Sequence, residues 1–448
     1  MERFACGTEI FAGEGALEAL SELPGKRLLV VRDGMELSEG IAERIRGMIR
    51  PEAVAFFDKV SAEPTMTQAV AGVREIKGFS PDLVVAVGGS HVVECAKAMV
   101  CFSGKACRLA AVPTRVGSGT EVTGRVTLTH DRRRHMFRNP AMRPHTAVLD
   151  SSLLTDNAPG SIAEGGFEIL ANCLEAYVNK DTGMMTSLHA REGFSVCWGA
   201  LPAAFAGSAR ARSRLQAASA MAGIAYDRTG LGLCRAMTDS LISLFHLPQG
   251  VLAGILLPAV VGCNAHAGGK RLAELSRAAG LGGSNDGVGV RNLKAGLIRL
   301  RRELGLPSTL TQAGLNPRWV WSNVGKIVEQ TWRIRSAGTI RYRQTIFWCG
   351  GFWRRQPDII EYRRKQYEIG KGDRKSRNGA QGGLPAGGKN PDGGDGGQFR
   401  GGPGPGRRKT GRPGAGGHEP CGGPVFHGCA VGCCGGGRGK GIERPFGC

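Results

Sequence analysis

Leu83-Val84-Val85-Ala86-Val87 is a run of five apolar residues with no charge, and Gly88-Gly89-Ser90-His91 and a helical stretch from Val92 to Lys97 follow it without a break. A strand with no polar face belongs where both faces are covered, as in the parallel sheet of an α/β protein. Two glycines let the backbone turn sharply and approach a ligand. The helix that follows offers unpaired N–H groups and the positive end of its dipole to an anion such as a phosphate. A bare βα turn uses the same residues, so the motif alone does not decide between the two.

The rest of the first third keeps the same rhythm. Arg27 to Arg32 reads as a strand after the turn Pro24-Gly25, closed by Asp33-Gly34. An acid at that strand end either accepts hydrogen bonds from a ribose and repels a 2′-phosphate, or is a plain turn aspartate. Helix Ser38 to Ile49, strand Ala53 to Phe57 and helix Met66 to Lys77 precede the organising strand, and strand Arg108 to Val112 comes after it. Such alternation specifies a doubly wound sheet. Pro113 to Thr123 is a loop dense in glycine and hydroxyl groups, able to wrap a phosphate. Asp131 to Arg138 reads as a basic hairpin segment, and Thr146 to Asp150 as the last strand.

From Ser161 the pattern turns helical. Gly166 to Val178, Thr186 to Phe205, Arg210 to Tyr226, Gly232 to Leu244, Gly250 to His266, Leu272 to Ala279 and Val290 to Leu304 are the expected helices, with Leu306-Pro307 as a stop. The predicted fold class is therefore α/β followed by all-α, with an α/β domain over 1–158 and a helical domain over 159–330. Residues 331–448 carry +14 of the net charge of +21, and 371–448 hold 28 of the 71 glycines, with no periodicity. That composition predicts a disordered Gly/Arg-rich tail. Its Gly, Arg, Pro, Ala and Cys are also what a GC-rich message yields out of frame, so a frame-shifted origin is a second expectation for it. The group His418, Cys421, His427, Cys429, Cys433, Cys434 and Cys448 fits no paired CxxC or HxxxH spacing. A basic tail implies at most non-specific, salt-sensitive nucleic-acid binding. No stretch reaches roughly eighteen uncharged apolar residues, and Met1 to Phe4 lacks a leader's apolar run, which predicts a soluble cytoplasmic protein without membrane association. Eight cysteines scattered singly from Cys6 to Cys263 suit reduced packing residues.

Several stretches together resemble the iron-type (group III) alcohol dehydrogenases, and within them the propanol and propanediol oxidoreductase branch. They are the glycine turn, Pro64-Thr65, Pro113 to Thr123 (PTTxGTGSEVT in the family), Pro144 to Asp150, Leu174 to Tyr177, Ala225 to Cys234 and Phe245 to Gly250. The likeness covers roughly residues 5–325. It implies a Rossmann-like dinucleotide-binding domain and a helical metal and substrate domain, with NAD and one Fe2+ or Zn2+ in the cleft. It also implies a small alcohol or aldehyde substrate, a homo-oligomer, and association with a bacterial microcompartment. By resemblance Asp33 selects NAD, Gly88, Gly89 and Ser90 lie under the pyrophosphate, Thr114 and Ser118 contact the nucleotide, and Arg134 stands where the family often has a lysine near the cofactor. The family's third glycine is Ser90 here, its serine is His91, and Arg115 replaces a threonine.

The family's four metal-ligand positions, one Asp and three His, read Glu168, Asn172, Arg235 and Gln249, and its additional active-site His is Asp239. Transition metals at neutral pH favour imidazole or thiolate, and a permanent positive charge repels them. The expectation is that the Arg235 guanidinium takes the cation's place, with Glu168 and Asp239 as counter-charges and Asn172 and Gln249 as hydrogen-bonding neighbours. An arginine can stabilise an oxyanion, which makes Arg235, with Asp239 four residues on, the catalytic candidates. Two functions follow from the resemblance: an NAD-dependent oxidoreductase impaired by the loss of its ligands, or a non-catalytic nucleotide-binding relative or degraded gene product.

Overall fold

A computed structural model describes residues 4–333, apart from Met35, Thr155 and Asp156, together with Ile359. The expectations for the tail, its His and Cys group and its nucleic-acid binding lie outside the described residues. Six strands, β1 (Glu9–Gly13), β2 (Arg27–Val31), β3 (Ala53–Phe57), β4 (Leu83–Gly88), β5 (Arg108–Pro113) and β8 (Thr146–Asp150), form one sheet in the order β1-β8-β5-β4-β2-β3. Every neighbouring pair is parallel. The strands β6 (Arg125–His130) and β7 (Arg133–Arg138) form a separate antiparallel hairpin.

The helices α1 (Glu36–Ile49), α2 (Met66–Phe79) and α3 (Ser90–Ser103) connect the strands and cover both faces. Alternate residues divide between the two layers, as a pleated strand requires. Leu29, Val84 and Ala86 pack with Val92 and Met99, whereas Leu28, Val30 and Val85 pack with Ile41 and Ile45. The chain winds from β2 outward to β3, then crosses back to place β4 on the other side of β2. The winding reverses between β2 and β4, and ligands of such sheets bind in the crevice beyond the carboxyl ends of those strands. Asp33 and Gly88 to Ser90 stand at those ends.

Seven further helices follow: α4 (Pro159–Val178), α5 (Met184–Phe205), α6 (Ala209–Thr229), α7 (Leu233–Phe245), α8 (Gln249–Ala278), α9 (Asp286–Glu303) and α10 (Pro317–Arg333). They enclose a core in which Phe167, Phe194, Leu241 and Leu256 are all but fully buried. Gly119 and Gly223 let the loop after β5 meet α6 backbone to backbone, since a Cβ at Gly223 would lie 2.2 Å from the Gly119 carbonyl oxygen.

The structure departs from the expected elements in three places. The strand β1 pairs only with β8, at the sheet edge, and none of its residues is buried, its apolar run being only Ile10 to Ala12. The two helices expected between Gly250 and Ala279 are one 30-residue helix, α8. Gly268 and Gly269 interrupt the apolar pattern but lack the left-handed conformation that ends a helix. Pro317, at the first turn of α10, starts a helix where the proline at 307 had suggested only a stop. By length and composition α8 could cross a membrane, but 72% of its apolar window is buried inside the protein itself.

Candidate active site

The end of the site at the glycine turn is built by the backbone. Gly88 has φ +150°, a left-handed value that a side chain rarely tolerates, and a Cβ there would lie 2.7 Å from Val92. Gly89 caps α3, whose first N–H groups face out of the strand end. Thr114 is drawn beside the turn because its amide donates to the Gly88 carbonyl at 3.0 Å. The Asp33 carboxylate sits 3.6 Å from a Cβ built on Gly88, and His91 Nε2 is 3.3 Å from Asp33 Oδ2. Burial lowers the His91 pKa, with the Arg115 guanidinium adding to the effect and Asp33 opposing it. Arg115 approaches the same turn, its Cδ 3.7 Å from a Cβ on Gly89. These features fit a dinucleotide: a glycine turn, a helix N-terminus, a carboxylate for ribose hydroxyls and a cation beside the phosphate position.

The loop from Pro113 to Thr123 serves the protein more than a phosphate. The Gly117 and Gly119 amides donate to Ser219 Oγ at 3.2 and 3.1 Å, and the Ser118 carbonyl accepts from the Tyr226 hydroxyl at 2.7 Å. Beneath it, Lys97 is fully buried and its ammonium donates to the Thr120 and Arg125 carbonyls and to the Thr120 and Thr123 hydroxyls. Burial pulls its pKa down to about 8, with Glu94 opposing. This lysine fastens α3 to the loop that leads into β6.

The other end of the site is built by side chains. Glu175 of α4 accepts from the Gly232, Cys234 and Arg235 amides at 2.9, 2.6 and 3.1 Å. A carboxylate is thus held at the positive end of α7, and the start of that helix is fixed against α4. Arg235 then projects from the first turn of α7, and its Nε donates to Asp239 Oδ1 and Oδ2 at 3.1 and 3.0 Å. Arg134 of β7 brings its Nε to 3.2 Å from Asp239 Oδ1, an ion pair by distance without hydrogen-bond alignment. Arg134 is therefore engaged with a carboxylate of α7, a role the family position had not suggested. Gln249 Nε2 donates to Glu168 Oε1 at 2.8 Å, and Asn172 Nδ2 to the Gly117 carbonyl at 3.4 Å. The two amides thus serve Glu168 and the loop, and neither bonds to the guanidinium.

Burial works against the Arg235 charge, but Asp239, Glu168 and Glu94 together outweigh it and hold its pKa above the usual range. Burial pushes Glu168 up to about 7, opposed by Arg235. It also raises Glu94, with Lys97 and Arg235 opposing. Glu94, on the helix that opens at the glycine turn, was not among the expected site residues. Only its place three residues before Lys97 on α3 could have signalled it. It lines a cavity of about 30 Å³ with Arg235, Tyr226 and Leu231.

Iron and zinc do not fit this donor set. It offers the Glu168 carboxylate, two amides already committed elsewhere, and a guanidinium at the position of a ligand. No imidazole or thiolate is present to compete for a transition metal. Among the described residues no group of three or more His, Cys, Asp or Glu is placed to hold a metal ion.

A doubly wound parallel sheet with its crevice at the winding reversal, facing a helical domain that closes it with ionisable side chains, defines a two-domain dehydrogenase architecture. The chain belongs to the iron-containing alcohol dehydrogenase family: the iron-containing alcohol dehydrogenase model matches residues 7–151, and the model of the family's C-terminal domain matches 162–333. It is 29% identical over 323 residues to the 1-propanol dehydrogenase of Citrobacter freundii, which spans 69% of this chain and 87% of that one. Among solved structures, a 1,3-propanediol oxidoreductase superposes with a TM-score of 0.74 at 24% identity, covering 79% of this chain and 99% of the other. The sulfoacetaldehyde reductase of Bifidobacterium kashiwanohense in complex with NAD+ superposes with a TM-score of 0.71 at 20% identity, covering 81% and 100%.

Proposed function

We propose that the chain is an NAD-linked oxidoreductase of small alcohols or aldehydes in which the Arg235 guanidinium occupies the place of the family's metal. The observation that carries this reading is the ion pair of Arg235 with Asp239 beside Glu168 and Glu94. The relative from Citrobacter freundii supports the substrate class, and the Bifidobacterium relative's complex with NAD+ supports the cofactor. Bound NAD would supply hydride acceptance and, when reduced, hydride donation. Asp33 would take the ribose hydroxyls, Gly88, Gly89 and Ser90 the pyrophosphate, and Thr114 and Ser118 further nucleotide atoms. Only the Arg235 Nε is taken by Asp239; the two Nη groups have no acceptor among the described residues and can hold a carbonyl oxygen as it gains negative charge. Asp239 orients the guanidinium for that task.

The test is NADH oxidation by the full chain with propionaldehyde, first stripped of metal and then supplied with iron(II) or zinc(II). Turnover indifferent to metal, and reduced about 10²-fold or more in Arg235→Met with NADH binding retained, is the expected result. Metal-stimulated turnover would overturn the role given to Arg235, and absence of NADH binding would overturn the whole reading. A non-catalytic nucleotide-binding relative is the second reading. The small size of the cavity at Arg235, about 30 Å³, favours it, since that is room for a water rather than a substrate. NADH binding without turnover under any condition would establish it.

A further inference from the structure

A larger cavity adjoins the one at Arg235. It measures about 880 Å³ and is bounded by β6 and β7, the end of α6, α7 and α10. The two cavities share Arg125, Thr127, Met136 and Gly230 as walls, and Asp239 lines the larger one. Six cations line it: Arg125, Arg133, Arg134 and Arg138 from the hairpin, Arg228 from α6 and Lys326 from α10. Three carboxylates face them, and Asp239 already holds Arg134 and Arg235. Arg133, Arg138 and Lys326 form no ion pair with any described residue. The surplus is felt inside the wall. Burial lowers the Arg125 pKa to about 10, and the Arg138 charge is the next cause, ahead of the relief from Asp227. Guanidinium groups crowded around a cleft with low-dielectric walls attract and orient an anion rather than a neutral alcohol.

We propose that this cleft takes an aldehyde carrying a carboxylate or other anionic group, with the anion held by Arg138 and Lys326 and the carbonyl directed toward Arg235. This rests on the oxidoreductase reading and specifies its substrate class. A reduced dinucleotide held at Gly88, Gly89 and Ser90 would supply hydride to the carbonyl carbon as the C=O π bond opens, a proton from solvent would join the oxygen, and the oxidised dinucleotide would be released. The anionic group takes no part in the chemistry; it places the carbonyl.

The experiment compares two four-carbon aldehydes, succinic semialdehyde and butyraldehyde, with NADH and the full chain. The expected kcat/KM favours the anionic aldehyde by at least about tenfold, an advantage that added salt erodes. In an Arg138→Gln/Lys326→Gln double variant, both positions being exposed, KM for succinic semialdehyde rises about tenfold while butyraldehyde is unaffected. Equal or better use of butyraldehyde, or a variant that shifts both substrates alike, overturns the proposal while leaving the oxidoreductase reading intact. If neither aldehyde is reduced, equilibrium binding of succinate decides. Binding weakened about tenfold by the double variant supports an anion cleft in a protein that is not a reductase, whereas no binding, or binding indifferent to the variant, overturns it.

Discussion

The two ends of the site differ in what holds them. At the carboxyl ends of β2 and β4 the crevice proposed for the nucleotide is made by backbone: a left-handed glycine, the first turn of α3, and the reversal of strand order. Between α4, α7 and α8 the resemblance has the family's cation held by side chains alone, at positions that read Glu168, Asn172, Arg235 and Gln249 in this chain. Backbone geometry tolerates Ser90 and His91 in place of the family's residues because the glycine at the turn remains. Side-chain coordination has no such reserve, and what stands there is a cluster of carboxylates, Asp239, Glu168 and Glu94, around the Arg235 guanidinium.

Returning the side chains should therefore return the metal, and this is the largest effect expected. The variant Glu168→Asp/Asn172→His/Arg235→His/Gln249→His should bind one zinc per chain with an affinity at least about 10³-fold above that of the unaltered protein, read by metal analysis after chelator competition. Stoichiometric zinc in the unaltered protein would remove the contrast between the two ends. Next in size is the removal of the substitute cation. Arg235→Met leaves Asp239, Glu168 and Glu94 facing one another without it, and the expected loss is about 3–5 kcal/mol in urea denaturation. Glu168→Gln removes a carboxylate but keeps a hydrogen-bonding partner for Gln249, and should cost about 1 kcal/mol. If both variants prove silent, the ion network is not what orders this end.

A third effect depends on pH. Burial holds Glu121, Glu168 and Glu175 up to about 7, above the range of an unfolded chain. Between an unfolded pKa near 4.3 and a folded one about 7, the native state binds more protons than the unfolded state, so stability falls as pH rises through that window. Each group contributes a slope of at most about 1.4 kcal/mol per pH unit. Lys97 acts in the other direction at higher pH. Its lowered pKa means that the unfolded state binds the extra proton between about 8 and 10.5, so stability rises with pH there. Glu168→Gln should flatten part of the acid-side slope and leave the alkaline one alone, as measured by melting temperature across pH. Nucleotide-end variants should alter neither slope.

What was legible in the sequence follows the same division. The sheet could be read because β2, β4, β5 and β8 are apolar runs buried on both faces, and Asp33 and the glycine turn could each be placed at a strand end, whereas their approach to one another depends on β2 lying beside β4. The edge strand β1 was missed because it is only five residues long with none buried, and α8 was cut in two because two glycines interrupt its pattern without ending it; α10 was not named although Val320, Val324, Ile327 and Val328 give it an apolar stripe. In the helical half the i, i+4 spacing of Arg235 and Asp239 foretold their contact. The arrival of Arg134 and Glu94 at the same cluster depends on how β7 and α3 pack against α7, and no local periodicity carries that. The sequence pattern likewise could not show that Asn172 and Gln249 turn away to Gly117 and Glu168, since an amide's direction is decided by the acceptors around it.

The smallest expected effect tests how far the nucleotide end depends on backbone alone. His91, where the resemblance expects a serine, has its Nε2 3.3 Å from Oδ2 of Asp33, the acid proposed for the ribose. Its pKa is lowered by burial first, so the ring is largely neutral at pH 7, and its hold on Asp33 is closer to a hydrogen bond than to a full ion pair. A ribose seeking the same carboxylate oxygen has to displace the imidazole. His91→Ser, which restores the family residue, should therefore tighten NADH by about threefold, an amount in keeping with one weak polar contact, as measured by quenching of protein fluorescence. The gain should grow as pH falls and the imidazole in the unaltered protein becomes charged, because the imidazolium holds the Asp33 carboxylate more tightly than the neutral ring does. Weaker NADH binding in His91→Ser would mean instead that the ring holds Asp33 in position for the ribose, and that this end too is organised by a side chain.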